Sequence, residues 1–313
     1  MKKIPVLFFC ALLLLTAAGC KARPVTPAPL PTNPPATTAP VVTLPPVTTQ
    51  PPATTVPPTS HQPATEEPTT EHFVAAIASW EEMSALENEK KGWGPGTHTD
   101  EDKRPIGSTS YQNLYGKYGA YFIAPNNNTV YLTFDEGYEN GFTASILDTL
   151  RDKNVKAVFF ITYPYAKNEP DLVRRMVDEG HVLGNHSTKH LSFPDMSPED
   201  AVADITQLHD YVKSNFGYTM NLFRPPMGEF SERTLALTQS LHYSSVFWSF
   251  AYRDWEVDNQ PLTIEATDAI TRSCHPGAIY LLHAVSQTNA EVLPDIIDNI
   301  RTQGYEFGRF DWP

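Results

Sequence analysis

Val130-Tyr131-Leu132-Thr133-Phe134-Asp135-Glu136-Gly137 is the stretch whose reading decides the fold. Its first five residues form an apolar run that reads as a strand, and two carboxylates follow at once. Side chains alternate across a strand, so Asp135 and Glu136 point in different directions. One can then bind a metal while the other stays free to act as a base.

Outward from this stretch the pattern repeats. Apolar runs at 157–161, 181–184, 222–224, 245–248, 278–282 and 305–307 read as further strands. Helical stretches lie between them at 142–153, 169–179, 198–216, 231–241, 262–273 and 287–303. Strands alternating with helices predict βα units around a parallel sheet. Seven strands in this span suit an α/β fold, an irregular (β/α)7 barrel, over residues 129–313. Barrels of this kind gather their chemistry at the C-terminal ends of the strands.

Those ends carry reactive groups. The run at 181–184 leads into Asn185-His186-Ser187-Thr188-Lys189-His190. Histidines four apart lie on one face of a helical turn and can grip one metal. The run at 222–224 continues as Arg224-Pro225-Pro226-Met227-Gly228, a backbone stiffened by two prolines. Asp254-Trp255 follows the run at 245–248, and His283 follows Tyr280-Leu281-Leu282. Singly each signal is weak, because surface histidines, turn carboxylates and salt-bridged arginines are common. Their shared placement and their order give them weight.

The N-terminus reads differently. Met1-Lys2-Lys3 is basic, and residues 6–15 are apolar. That run is too short for a spanning helix, which needs about twenty residues. With Thr16-Ala17-Ala18-Gly19-Cys20 it reads as a secretory signal. The small residues ending in Cys20 resemble a bacterial lipobox, in which the cysteine after the cleavage site carries lipid. Ala17 stands where leucine is usual, which leaves a plain signal peptide as the alternative. Residues 1–20 are therefore read as signal and lipobox. Residues 21–71, rich in proline and threonine, are read as a disordered linker that cannot bury enough surface to order itself. Residues 72–128 are read as an extension packing on the barrel, with a helix over 75–91. After removal of the signal and lipidation of Cys20, Cys274 is the one cysteine left, which excludes an internal disulfide; it reads as a buried filler. The net charge of −13 argues against nucleic acid as a partner.

The ordered motifs resemble the polysaccharide deacetylase family of NodB-type carbohydrate esterases. Thr133-Phe134-Asp135-Glu136-Gly137 is similar to its first motif, His186-Ser187-Thr188-Lys189-His190 to the second and Arg224-Pro225-Pro226-Met227-Gly228 to the third. Asp254-Trp255 resembles the fourth and Leu281-Leu282-His283 the fifth. Glu136-Gly137-Tyr138-Glu139-Asn140-Gly141, Val246-Phe247-Trp248-Ser249 and His275-Pro276-Gly277 resemble one branch, the de-N-acetylases of N-acetylmuramic acid that prepare muramic δ-lactam in spore cortex.

The resemblance implies a divalent metal, typically zinc, held by His186 and His190. It implies Asp135 as general base, Arg224 pairing with it, and His283 as the acid that protonates the leaving amine, oriented by Asp254. The Met227 N–H would help hold the oxyanion. Glu136 stands where most of the family has a metal-ligating aspartate. It either ligates or leaves two histidines and waters. For substrate, Tyr138, Trp255 and Arg253 are the candidates, with Arg253 expected to meet the lactyl carboxylate of muramic acid and Arg233 and Lys189 behind it. The implied partner is the glycan strand of peptidoglycan, met by a monomer anchored through lipid to the membrane facing the wall. The alternatives are a glucosamine deacetylase with the same catalytic residues, or a catalytically silent wall-binding domain.

Overall fold

Two short strands, β1 (Lys91–Gly92) and β2 (Ala120–Tyr121), precede the long strand β3 (Thr129–Glu136). β3 is buried along all but its first residue, as befits a parallel strand covered on both faces. After it come β4 (Val158–Ile161), β5 (Val182–Asn185), β6 (Leu222–Phe223), β7 (Glu229–Phe230), β8 (Ser244–Val246), β9 (Phe250–Ala251), β10 (Ile279–His283) and β11 (Glu306–Phe307). The helices are α1 (Trp80–Ser84), α2 (Ile106–Tyr115), α3 (Thr143–Asp152), α4 (Tyr163–Asn168), α5 (Pro170–Asp178), α6 (Pro198–Phe216), α7 (Glu232–Ser240), α8 (Thr263–Arg272) and α9 (Gln287–Thr302). The computed structural model describes residues 80–125 and 127–311. The signal, the lipobox, the Pro/Thr-rich linker and residues 75–79 of the first expected helix lie outside the described residues.

The main sheet runs β2-β8-β6-β5-β4-β3-β10-β9, with β11 pairing the start of β3, and every pairing in it is parallel. This is the irregular α/β barrel expected from the sequence. Its hydrogen-bonded path stays open, since β2 and β9 end it without pairing each other among the described residues.

Alternation sorts the side chains of β3. Val130, Leu132 and Phe134 join the large core under the helices, with Ile146, Leu150 and Ile297. Tyr131 turns inward to a smaller core with Val158, Phe160, Leu222, Val246 and Ile279. Phe160 needs the space that Gly184 leaves on β5, because a Cβ at Gly184 would lie 2.3 Å from the Phe160 ring. Sequence signals also set the helix ends. α6 begins with Ser197 capping the Asp200 N–H at 3.1 Å and Pro198 in its first turn, and Gly217 closes it in the left-handed region.

Two expectations are corrected. The helix predicted over 75–91 is short: α1 ends at Ser84, and Lys91 lies in β1, paired with Phe230 of β7. Cross-chain bonds capture the stretch between, with Ser231 Oγ donating to Asn88 Oδ1 at 2.8 Å and Lys90 pairing with Asp195 at 2.6 Å. The helix predicted over 169–179 is present as α5, and α4, capped by Thr162, precedes it. The boundary drawn between 128 and 129 separates nothing, because β2 belongs to the main sheet and Phe122 stacks on Phe247 at 4.2 Å.

Candidate active site

The parallel register builds the site. It sets His283, the last residue of β10, directly beside Asp135 on β3. Both line a cavity of about 510 Å³ together with His186, His190, Tyr138, Met227, Gly228, Trp248 and Trp255. A broader depression of about 760 Å³ lies on the outer faces of α8 and α9, away from these groups.

Arg224 organises the cavity floor. It is fully buried, its guanidinium lies 4.1 Å from the Phe160 ring centre, and Nη1 donates to Asp135 Oδ1 at 2.7 Å. Nε and Nη2 donate to the Val246 and Phe247 carbonyls at 3.0 and 3.1 Å. Burial pushes the Asp135 carboxyl upward, but the Arg224 charge, with His186 and His283, outweighs it and holds the group below the ordinary carboxylate value.

The histidine pair converges without a helix, correcting the helical turn read from its spacing. Ser187 and His190 take left-handed φ values of 72° and 53°, and the two imidazoles meet at 4.8 Å and 75°. Asn185 Oδ1 accepts the Ser187 N–H at 2.8 Å, and Ser187 Oγ accepts the His190 N–H at 2.8 Å. Asp204 on α6 accepts the Thr188 and Lys189 N–H groups at 2.7 and 3.1 Å. His186 Nδ1 lies 2.9 Å from the Arg224 carbonyl oxygen, which can only accept, so Nδ1 carries the proton. Burial lowers the His186 pKa to about 4 and keeps the ring neutral. Its Nε2 lone pair then faces Asp135 Oδ2 at 3.4 Å. The Arg224 guanidinium on Asp135 offsets the repulsion between these two acceptors, and the free Nε2 lone pair is the chemistry His186 could offer a divalent cation.

Glu136 does not join that set. By alternation it faces the helix layer; it is fully buried, outside the cavity lining, and both its oxygens lack a hydrogen-bond partner. Burial pushes its carboxyl well above the ordinary value, and Glu139 and Asp135 add to the effect. The expected role of Glu136 as a ligand is corrected accordingly. Among the described residues no group of three or more His, Cys, Asp or Glu side chains is placed to hold a metal.

On the other wall, His283 Nδ1 lies 2.7 Å from Asp254 Oδ1, and the His283 N–H donates to Asp254 Oδ2 at 2.8 Å. Asn289 Nδ2 donates to the same Asp254 oxygen at 2.6 Å. Burial alone would lower the His283 pKa; the bond to Asp254 and its charge override this and raise it above the ordinary imidazole value. Tyr138, Met227 and Trp255 stand at the rim with 54%, 54% and 49% of their surface exposed. Arg253 is not in the lining; it is exposed and pairs with Glu256 at 3.5 Å. Arg233 is engaged by the Ser84 and Leu86 carbonyls, and Lys189 is exposed outside the lining. Cys274 is buried, and burial raises its thiol to about 11, as suits a filler.

Three supports escaped the sequence reading: Asp204, Asn289 and Trp93. Asp204 and Asn289 each interrupt the apolar stripe of a helix, beside Ala201, Ile205 and Leu208 or Val292, Leu293 and Ile296. A polar residue on a buried stripe is the signal that could have found them.

Residues 123–246 match the polysaccharide deacetylase family. The chain is 39% identical over 232 residues to the peptidoglycan-N-acetylmuramic acid deacetylase PdaA of Bacillus subtilis, covering 74% of this chain and 88% of that protein. It is 33% identical over 196 residues to a peptidoglycan-N-acetylglucosamine deacetylase of Bacillus cereus, covering 61% of this chain and 70% of that one. The solved structure of B. subtilis PdaA, described as a family 4 carbohydrate esterase, superposes with a TM-score of 0.68 at 39% identity, over 71% of this chain and 95% of that chain. With the fold, the strand-end residues and these relatives in agreement, the chain belongs to the polysaccharide deacetylase family of carbohydrate esterases.

Proposed function

We propose that the protein hydrolyses the N-acetyl group of N-acetylmuramic acid in peptidoglycan, the step toward muramic δ-lactam in spore cortex. The observation that carries the chemistry is the opposition of two unlike groups across one cavity: Asp135 held as a carboxylate and His283 held toward its protonated form. The muramic assignment is supported by the 39% identity to PdaA over 88% of that protein's length.

In this reading Asp135 takes a proton from the attacking water while the water oxygen bonds to the acetyl carbon. The Met227 N–H holds the developing oxyanion. His283 then gives its proton to the amine nitrogen as the C–N bond breaks, which leaves acetate and a free amine. Arg224 and Asp254 keep base and acid aimed at each other's half of the reaction. His186 and His190 are the residues that would hold a divalent metal, with zinc the family's usual choice; it would supply Lewis acidity toward the acetyl oxygen. Tyr138 and Trp255 offer ring faces to the sugar at the rim. The N-terminal segment enters as a proposal from sequence alone: a signal ending at Cys20 and a lipid anchor that places the domain outside the cytoplasm, facing the wall. Replacing Cys20 with Ser should then release the protein into the medium, and equal fractionation of mutant and parent would reject the anchor.

One observation favours the glucosamine reading: no lysine or arginine lines the described cavity to meet a lactyl carboxylate. The deciding experiment is mass spectrometry of glycan strands carrying peptide-free muramic acid, beside chitin oligomers. Loss of acetyl groups from muramic residues alone supports the proposal. Deacetylated chitin with untouched muramic acid moves the enzyme to glucosamine, and binding without turnover of either marks a silent module.

A further inference from the structure

Met227 and Gly228 adopt left-handed φ values of 58° and 66° in succession. For a methionine this is a strained conformation, which persists only where the surroundings over-determine it. Within the turn, Gly228 N–H donates to the Pro225 carbonyl at 3.0 Å. The outward bond comes from elsewhere in the chain: the Trp93 N–H donates to the Gly228 carbonyl at 3.0 Å. The Trp93 indole Nε1 donates in turn to the Trp248 carbonyl at 2.9 Å. One residue from outside the catalytic motifs therefore grips the oxyanion turn and the Trp248 wall together. The fit is close, since a Cβ at Gly228 would meet the Trp248 ring at 2.7 Å and the Trp93 Cβ at 3.3 Å. Trp93 is itself fixed from behind by Tyr111 and Phe122, with ring centres at 4.9 and 4.6 Å, and by the β1–β7 pairing next to it.

We propose that Trp93 is a positioning residue: it locks the Pro225–Gly228 turn against Trp248 so that the Met227 N–H faces the reacting carbonyl. The segment before β3 is thereby a working part of the active site. This rests on the deacetylase reading above, and its test separates the two. Trp93→Phe keeps an aromatic ring and the backbone N–H but removes the indole donor. Trp93→Ala removes the ring as well.

Hydrogen exchange reads the lock without any substrate. In Trp93→Phe, amides of residues 227–230 and of Trp248 should exchange about tenfold faster, while those of β4 and β5 stay at the parent rate. Turnover on glycan strands reads the consequence. kcat per folded enzyme should fall about tenfold in Trp93→Phe and about 10²-fold in Trp93→Ala, with KM within about twofold and the pH profile unmoved. Unchanged exchange in 227–230 overturns the proposal, and so does faster exchange with kcat kept. A loss of activity that only tracks the unfolded fraction, with parental kcat in the folded molecules, also overturns it. If the parent deacetylates no acetylated sugar polymer, the deacetylase reading fails, while the exchange data still decide the lock.

Discussion

The two faces of β3 carry neighbouring carboxylates with opposite fates. On the inner face Asp135 meets the Arg224 guanidinium at 2.7 Å and is held below the ordinary carboxylate value. On the outer face Glu136 has no cation beside it among the described residues, lies near Glu139, and is pushed well above it. The chemical groups are the same and the residues adjacent, so the difference comes from alternation and surroundings. Only the inner residue is equipped to act as a base at neutral pH; the outer one is sealed under the helices and pushed toward its neutral form. Neutralising each face in turn tests the contrast.

The largest effect belongs to the inner face. Asp135→Asn should keep the fold and lower kcat by about 10²–10⁴-fold, the usual worth of a placed general base. Loss of less than about threefold would mean that the base lies elsewhere. Next comes the partner acid. Asp254→Asn should lower kcat by about 10–10²-fold. The pH profile should move in a definite sense. His283 works protonated, and Asp254 raises its pKa, so activity falls as pH rises through that raised value. Without the Asp254 charge the basic limb of kcat/KM should shift to lower pH, while the acidic limb, set by Asp135, stays. A basic limb that does not move would remove His283 from the role of acid.

How far these roles were legible beforehand follows from the same alternation. The apolar run before Asp135 and the order of later motifs were enough to place Asp135, Arg224, His186, His190, Asp254 and His283 around one site. The direction each carboxylate faces depends on register and on which face is covered by helices, and the sequence carries neither in local form. Glu136 was open for that reason, and the structure turns it toward the helix layer, outside the cavity lining. The histidine spacing suggested a helical turn, whereas the loop reaches the same convergence through two left-handed residues that Asn185, Ser187 and Asp204 hold in place. Arg253 lies outside the cavity lining, because adjacency to Asp254 in sequence says nothing of where a solvent-facing side chain settles. The two-residue strands β1, β2, β7 and β9 were missed, since none of them stands out as an apolar run between two helical stretches.

The outer face gives a smaller effect of opposite sign. A carboxyl whose folded pKa is raised contributes stability that is full below its unfolded value, about 4.3, and is lost as pH rises toward the folded one. Glu136→Gln removes this loss. Its melting temperature should fall less than the parent's between about pH 5 and 7, and kcat should stay within about threefold. A variant with lost metal and lost turnover would return Glu136 to the ligand set. The smallest effect is at Arg253, exposed and paired with Glu256. Arg253→Ala should leave activity and the muramic preference within about twofold, since surface pairs contribute little. A collapse of that preference would show that the rim rearranges on the substrate.

Arg224 touches more than the base. Its side chain bonds Asp135 and the carbonyls of Val246 and Phe247, while its own carbonyl receives His186. The ends of β3, β5 and β8 are thus riveted by a single residue whose aromatic seat, Phe160, belongs to the inner core. Catalytic faces are commonly drawn from the soft, locally opening end of a protein's stability range. Here Arg224 ties the floor of the active site to the barrel interior, so partial denaturation should loosen the rim before it frees Asp135 from Arg224.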